Sequence, residues 1–480
     1  MNKRILLFWV ACAAVCSGAV AQQHLPNGKY QWPKDSLVVK KLQQWQQVKF
    51  GLLMHWGPYS EWGVVESWSI CPEDESWCER KGPYAENYNQ YLDAYEKLQT
   101  TFNPVLFNPA KWATAAKDAG MKYMVFTTKH HDGFCMFDTD QTDYKVTDAK
   151  TPFSNSPKRN ITKEVFKAFR TDSFMIGAYF SKPDWHSNDY WWKRFPPQSR
   201  NTSYNPAKHP EKWNAFKKYT YRQLEELTTD YGKIDILWLD GGWVRPKATI
   251  DTSVDWQRSI PYEQDIDMAN IASMSRANQP GVLIVDRTVS GEFENYVTPE
   301  QAIPSGYLPY PWESCITLGN SWSYIPDEQF KSANKVIRML TDVVSRNGNL
   351  LLNVAPGPDG DWHAAAYDRL KEIGAWIKVN GEAIYGSKGD SIIGQQGNFI
   401  FTHKANTVYA IYRGDEKKAV LPASVTIMHV PAAQVKNVSM LGAKQKVKWT
   451  QERDKLVVAV PDKLLNKLPC KEAWVFKISY

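Results

Sequence analysis

Cysteine is scarce, seven in 480 residues, and two of the seven, Cys12 and Cys16, fall in an N-terminal apolar run. The other five (Cys71, Cys78, Cys135, Cys315 and Cys470) are too few and too scattered for a disulfide scaffold, and no CxxC or HxxxH spacing offers structural zinc. A basic stripe is missing as well. The formal charge is +7, but the charges are spread along the chain, which excludes the long basic-aromatic groove of a nucleic-acid binder. After residue 21 no apolar stretch approaches the ~20 residues of a membrane-spanning helix. Internal repeats and low-complexity tracts are absent too.

What is present begins at the N-terminus. Lys3 and Arg4 precede an uncharged run, Ile5–Val20, that ends in Ala19-Val20-Ala21. This layout predicts a secretory signal peptide over 1–21 and export to the periplasm or medium; Val15 disfavours lipid attachment at Cys16. Aromatic residues are abundant, with 21 Trp and 24 Tyr. Their faces stack on the C–H faces of sugar rings, so carbohydrate is the first ligand class suggested.

From about Lys49 to Asn380, short apolar runs alternate with amphipathic stretches, the pattern of βα units around a parallel sheet. Strands are predicted at Phe50–His55, Tyr123–Thr128, Phe174–Phe180, Ile234–Leu239, Val282–Val285 and Leu350–Val354. Helices are predicted at Pro109–Ala119, Trp213–Tyr231, Asp327–Ser345 and Ala364–Val379. After Gly386 short alternating runs separated by turn residues suggest an antiparallel β-sandwich. The expected fold is a (β/α)8-like TIM barrel over residues 22–385, a linker near Tyr385–Gly394, and a β-sandwich over 386–480. The sandwich reads as a brace for the barrel rather than a carbohydrate-binding module.

In such a barrel chemistry collects past the C-terminal strand ends. Four successive ends deliver His55-Trp56-Gly57, Lys129-His130-His131-Asp132, Tyr179 with Trp185, and Trp238-Leu239-Asp240-Gly241-Gly242-Trp243. Alone, each has a plain explanation as a turn or core residue; together they mark one rim. His130-His131-Asp132 with His55 also permits a metal-dependent hydrolase, although neighbouring histidines face one ligand only if the strand ends there.

These residues resemble the α-L-fucosidases of glycoside hydrolase family 29. The resemblance rests on HWG at His55, TTKHHDGF at Thr127–Phe134, WLDGGW at Trp238–Trp243, VDR at Val285–Arg287, TPE at Thr298–Glu300, WESC at Trp312–Cys315 and NLLLNVAPGPDG at Asn349–Gly360. It implies exo-hydrolysis of terminal α-L-fucose from fucosylated glycans by a retaining, two-carboxylate mechanism without metal or cofactor. Asp240 matches the nucleophile. Glu300 is favoured as acid/base, with Glu294 as the alternative and Glu292 and Glu313 behind it. His55, His130, His131, Tyr179 and Arg287 match sugar contacts. Trp322 matches the aromatic beside the fucose methyl, and Trp68 is expected to line the same pocket. Asn87 departs from the pattern, since some relatives carry tryptophan there. A catalytically inactive fucose-binding protein is the alternative from another class, opposed by the presence of Asp240 and the acidic loop Gly291–Pro304.

Overall fold

Strands that bury both faces need apolar residues at successive positions, and the short runs between residues 50 and 353 supply them. In the computed structural model, which describes residues 30–72, 78, 80–289, 291–389, 394–430 and 435–480, they form one parallel sheet. Its strands are β1 (Phe50–Met54), β2 (Tyr123–Lys129), β3 (Met175–Ser181), β4 (Ile236–Asp240), β5 (Leu283–Asp286), β6 (Glu313–Thr317) and β7 (Asn349–Asn353), in the order β5-β4-β3-β2-β1-β7-β6. The signal-peptide segment lies outside the described residues.

The sheet wraps as a TIM-like barrel of seven regular strands. Between β5 and β6 runs the segment 294–300, which makes single bridges to both sides: Val285 with Glu294, Val297 with Trp312 and Glu300 with Cys315. An irregular rung thus stands where an eighth strand would. β6 escapes the hydrophobic pattern because Glu313 turns into the barrel, accepting from Tyr123 Oη at 2.7 Å and Trp238 Nε1 at 3.0 Å. Burial pushes the Glu313 carboxyl up to about 7. Gly51 makes room for this cluster, since a Cβ there would stand 2.4 Å from the Tyr123 ring.

The helix Ser36–Val48, capped by Asp35, closes the bottom of the barrel with Val38, Leu42 and Trp45, an i, i+4, i+7 stripe. Trp45 stacks on Tyr296 at 4.0 Å. Outside, Ile161–Thr171 and Ala333–Ser345 bury apolar stripes and are capped by Asn160 and Ser332. The second starts six residues later than the pattern predicts, because residues 327–332 are used to hold a loop. Among the described residues, no helix is long and apolar enough to cross a membrane.

The C-terminal strands form a five-stranded and a three-stranded antiparallel sheet. One face of the larger packs on the smaller through Phe399, Phe401 and Phe476; the other sends Ile400, Tyr409, Ile411 and Val475 into the barrel's own core. Arg413 pairs with Asp342 at 2.8 Å and Trp376 Nε1 donates to Ala473 O. The expected linker is not a loose tether at its start: Gly386 N donates to Gln47 O, and Lys388–Gly389 adds a strand to the larger sheet.

Candidate active site

β4 ends at Asp240, opposite Ser181 in the β3–β4 register. Its Oδ2 accepts from Tyr179 Oη at 2.6 Å and its Oδ1 from Arg287 Nη1 at 3.1 Å; His131 Nε2 lies 3.8 Å away. Burial alone would raise the carboxyl. Arg287, His131, the Tyr179 hydroxyl and the Gly241 amide override it and hold Asp240 well below the usual carboxylate range. Asp240 is therefore a fixed anion.

The other guanidinium nitrogen of Arg287 reaches Glu300 Oε2. One cation spans both carboxylates, and its Cζ lies 5.2 Å from the centre of the Trp238 ring. Glu300 is the more open partner, with 24% of its side chain exposed against 13% for Asp240. Glu294 takes a different place. Its Oε1 accepts from Thr288 N at 3.1 Å, and burial and the charge of Asp286 push it up to about 8 against Arg245 and Lys182. Glu313 lies deeper, inside the barrel.

Three histidines complete the floor. β2 ends at Lys129, so His130 and His131 leave the strand together and bring their rings within 4.2 Å of each other. Each is oriented from behind by a serine: Ser67 Oγ lies 2.5 Å from His130 Nδ1, and Ser181 Oγ 2.7 Å from His131 Nδ1. His55 is held through Asn353, whose Oδ1 is 3.1 Å from both its backbone N and its Nδ1. Burial lowers His55 to about 4 and His131 to about 3, and takes His130 well below its ordinary value. All three are neutral imidazoles at pH 7, each able to donate from one nitrogen and accept at the other. Such groups suit sugar hydroxyls.

Trp322 stands 5.2 Å from the His55 ring, and Trp68 5.4 Å from the His131 ring, where it also meets Trp185 and Trp243. The two tryptophans flank the histidine cluster. Asn87 caps the helix Tyr88–Glu96 by accepting from Gln90 N, a local role that explains an asparagine there.

Asp132, one leg of the metal reading, turns away to accept from Tyr95 Oη at 2.8 Å. Among the described residues, the grouping with metal-like spacing is instead His130, His131 and Asp240. Arg287 already occupies that carboxylate, so a divalent ion would face a guanidinium.

Glu66 was not among the residues the motifs singled out. It is buried, its Oε1 has no hydrogen-bond partner, and burial, then the charges of Glu300 and Asp240, raise it well above the usual range. Its backbone is strained, with φ 20° and ψ −135°. The available signal was a carboxylate two residues before the pocket residue Trp68.

Residues 18–382 match the family described as Alpha-L-fucosidase, and residues 395–479 match the Alpha-L-fucosidase C-terminal domain. Tissue alpha-L-fucosidase of Homo sapiens is 27% identical, over 99% of this chain and 96% of its own. Alpha-L-fucosidase isoenzyme 1 from Paenibacillus thiaminolyticus is 29% identical, with a TM-score of 0.73 over 92% of this chain and 99% of that one. The Thermotoga maritima alpha-fucosidase solved in complex with fucose is 26% identical, with a TM-score of 0.68 over 91% and 96%. With both of its domains matched, the chain belongs to the alpha-L-fucosidase family of glycoside hydrolases.

Proposed function

We propose that this fucosidase is an exported bacterial enzyme that removes terminal α-L-fucose from fucosylated glycans by a retaining double displacement. The observation that carries the mechanism is Arg287, whose single guanidinium touches both Asp240 and Glu300. Retaining enzymes use carboxyl groups about 5–5.5 Å apart, inverting ones about 6.5–9.5 Å, and a shared guanidinium favours the shorter spacing.

Asp240 attacks the anomeric carbon and forms the glycosyl-enzyme bond while the bond to the leaving oxygen breaks. Glu300, nearer the mouth, leaves Arg287 and takes up a proton from solvent as the sugar enters, gives that proton to the leaving oxygen as its bond breaks, and then takes a proton from the water that releases fucose. His55, His130 and His131 bind ring hydroxyls, and the orphaned Glu66 oxygen accepts from one of them. Tyr179 and Arg287 keep Asp240 ionised. Trp322 is the apolar wall at the C6 methyl, and Trp68 closes the opposite side. The Thermotoga relative solved with fucose supports this sugar for the pocket. Export rests on the N-terminal sequence 1–21.

Incubation with p-nitrophenyl α-L-fucoside, followed by NMR of the first sugar released, tests the reading. α-L-Fucose first, in a reaction that survives chelator, is expected. β-L-Fucose first would mean inversion, and binding without turnover would favour a sugar-binding protein. Purification of a mature chain that begins at Gln22 is the expected sign of export.

A further inference from the structure

Between β6 and the helix Ala333–Ser345 lies the loop that delivers Trp322 to the pocket. Two charged side chains from the second half of this loop grip its first half. The Lys331 ammonium donates to Gly319 O at 2.6 Å, Thr317 O at 2.7 Å and Thr317 Oγ1 at 3.3 Å. The Glu328 carboxylate accepts from Asn320 N at 2.7 Å and Ser321 N at 3.2 Å. A cation on carbonyls and an anion on amides form charge-assisted bonds, stronger than neutral ones. The approach is so close that a Cβ on Gly319 would stand 2.2 Å from Glu328 Cδ.

Trp322 follows directly. Its carbonyl accepts from Asn353 Nδ2 at 2.8 Å, through the same amide that holds His55. Ser323 Oγ then donates to Val64 O and accepts from Glu66 N. The backbone that carries the indole is thus held on both sides, by the charged grip before it and by the pocket's own hydrogen bonds after it.

We infer that Lys331 and Glu328 are positioning residues that set selectivity for the C6 methyl by clamping the Trp322 loop. The inference rests on Trp322 being the wall at that methyl. An apolar wall discriminates a methyl from a hydroxymethyl only in van der Waals contact, and dispersion fades within an ångström. The pocket bonds alone keep the indole attached but leave it free to tilt; the clamp removes that freedom.

An α-L-galactoside is a fucoside with a hydroxyl on C6, so the ratio of kcat/KM for the two p-nitrophenyl glycosides reads the wall. Lys331→Met is expected to lower the fucoside-to-galactoside ratio about tenfold, within the range a hydrophobic pocket commands. The loss should fall mainly on the KM for the fucoside, and Lys331→Arg should restore most of it. Glu328→Gln decides by the same ratio if Lys331→Met does not fold. Trp322→Ala is measured in parallel. A ratio that drops in Trp322→Ala but holds in Lys331→Met overturns the clamp. A ratio unmoved in both shows that Trp322 is not the wall, and the inference falls with it. Equal loss on both substrates reveals a merely structural role and also overturns it.

Discussion

Asp240 and Glu300 share Arg287, yet the two sides of the pocket are built differently. The Asp240 side stands on β2, β3 and β4, strands paired in parallel along their length, with a single register shift between Thr127 and Lys129 where β2 gives way to the histidines. There each working group has a dedicated partner: Tyr179 for Asp240, Ser181 for His131, Ser67 for His130. The Glu300 side stands on an irregular rung between β5 and β6, flanked by left-handed backbone at Thr288 (φ 67°) and Gln301 (φ 49°). The contrast is what the proposed chemistry asks for. A nucleophile works as a fixed charge, whereas an acid/base must trade partners between the two steps.

The largest test of this division is Asp240→Asn. Loss of the anion should lower kcat on p-nitrophenyl α-L-fucoside by about 10⁴-fold or more, as for other nucleophile deletions, and should lower the thermal midpoint too, because a carboxylate held below its usual range by Arg287 stabilises the fold at neutral pH. Retained turnover would move the nucleophile elsewhere. Glu300→Gln comes next, and its effect should depend on the leaving group. About 10²–10⁴-fold is expected on a fucosylated oligosaccharide, whose leaving oxygen needs a proton, and much less on the nitrophenyl glycoside. If Glu294→Gln shows that dependence instead, the acid sits on the other carboxyl of the loop.

Glu294 is expected to speak through stability rather than rate. Its folded-state value of about 8 stands above the ordinary 4.5. Below pH 4.5 the carboxyl is protonated in both states. Between about 4.5 and 8 the unfolded chain releases the proton and the folded one keeps it, so stability falls as pH rises; above 8 the loss levels off. Glutamine has no proton to release and keeps the oxygen that Thr288 N needs. The stability of Glu294→Gln relative to the parent, read from thermal midpoints, should therefore rise across pH 4.5–8 by a difference on the order of 5 kcal/mol. A constant difference would mean that Glu294 titrates normally.

The same contrast explains what could be read in the chain. Strands buried on both faces announce themselves as apolar runs, and their ends place His55, His130, His131, Tyr179 and Asp240 on one rim. β6 was hidden because Glu313 serves a polar cluster inside the barrel. The rung 294–300 was hidden because isolated bridges leave no periodicity, so only resemblance separated Glu300 from Glu294. Glu66 carried no pattern either: its place depends on packing beside Glu300 and Asp240. The late start of the helix at Ala333 was also invisible, since Glu328 and Lys331 are good helix formers diverted to a loop.

The smallest expected effect belongs to the side built on paired strands, and it sharpens the comparison most. Ser181→Ala removes the hydroxyl 2.7 Å from His131 Nδ1 and leaves every carboxylate in place. His131 stays neutral, since burial rather than Ser181 lowers it, but its ring loses the contact that selects which nitrogen faces the sugar. One hydrogen bond at a buried imidazole is worth about 1 kcal/mol, so KM for the fucoside should rise about fivefold with kcat nearly unchanged. The loss should be equal for good and poor leaving groups, because in the proposed mechanism His131 binds the sugar and not the aglycone. A loss that grew with a poorer leaving group would mean that His131 communicates with Glu300 through the shared Arg287, and the two sides would then have to be treated as one unit.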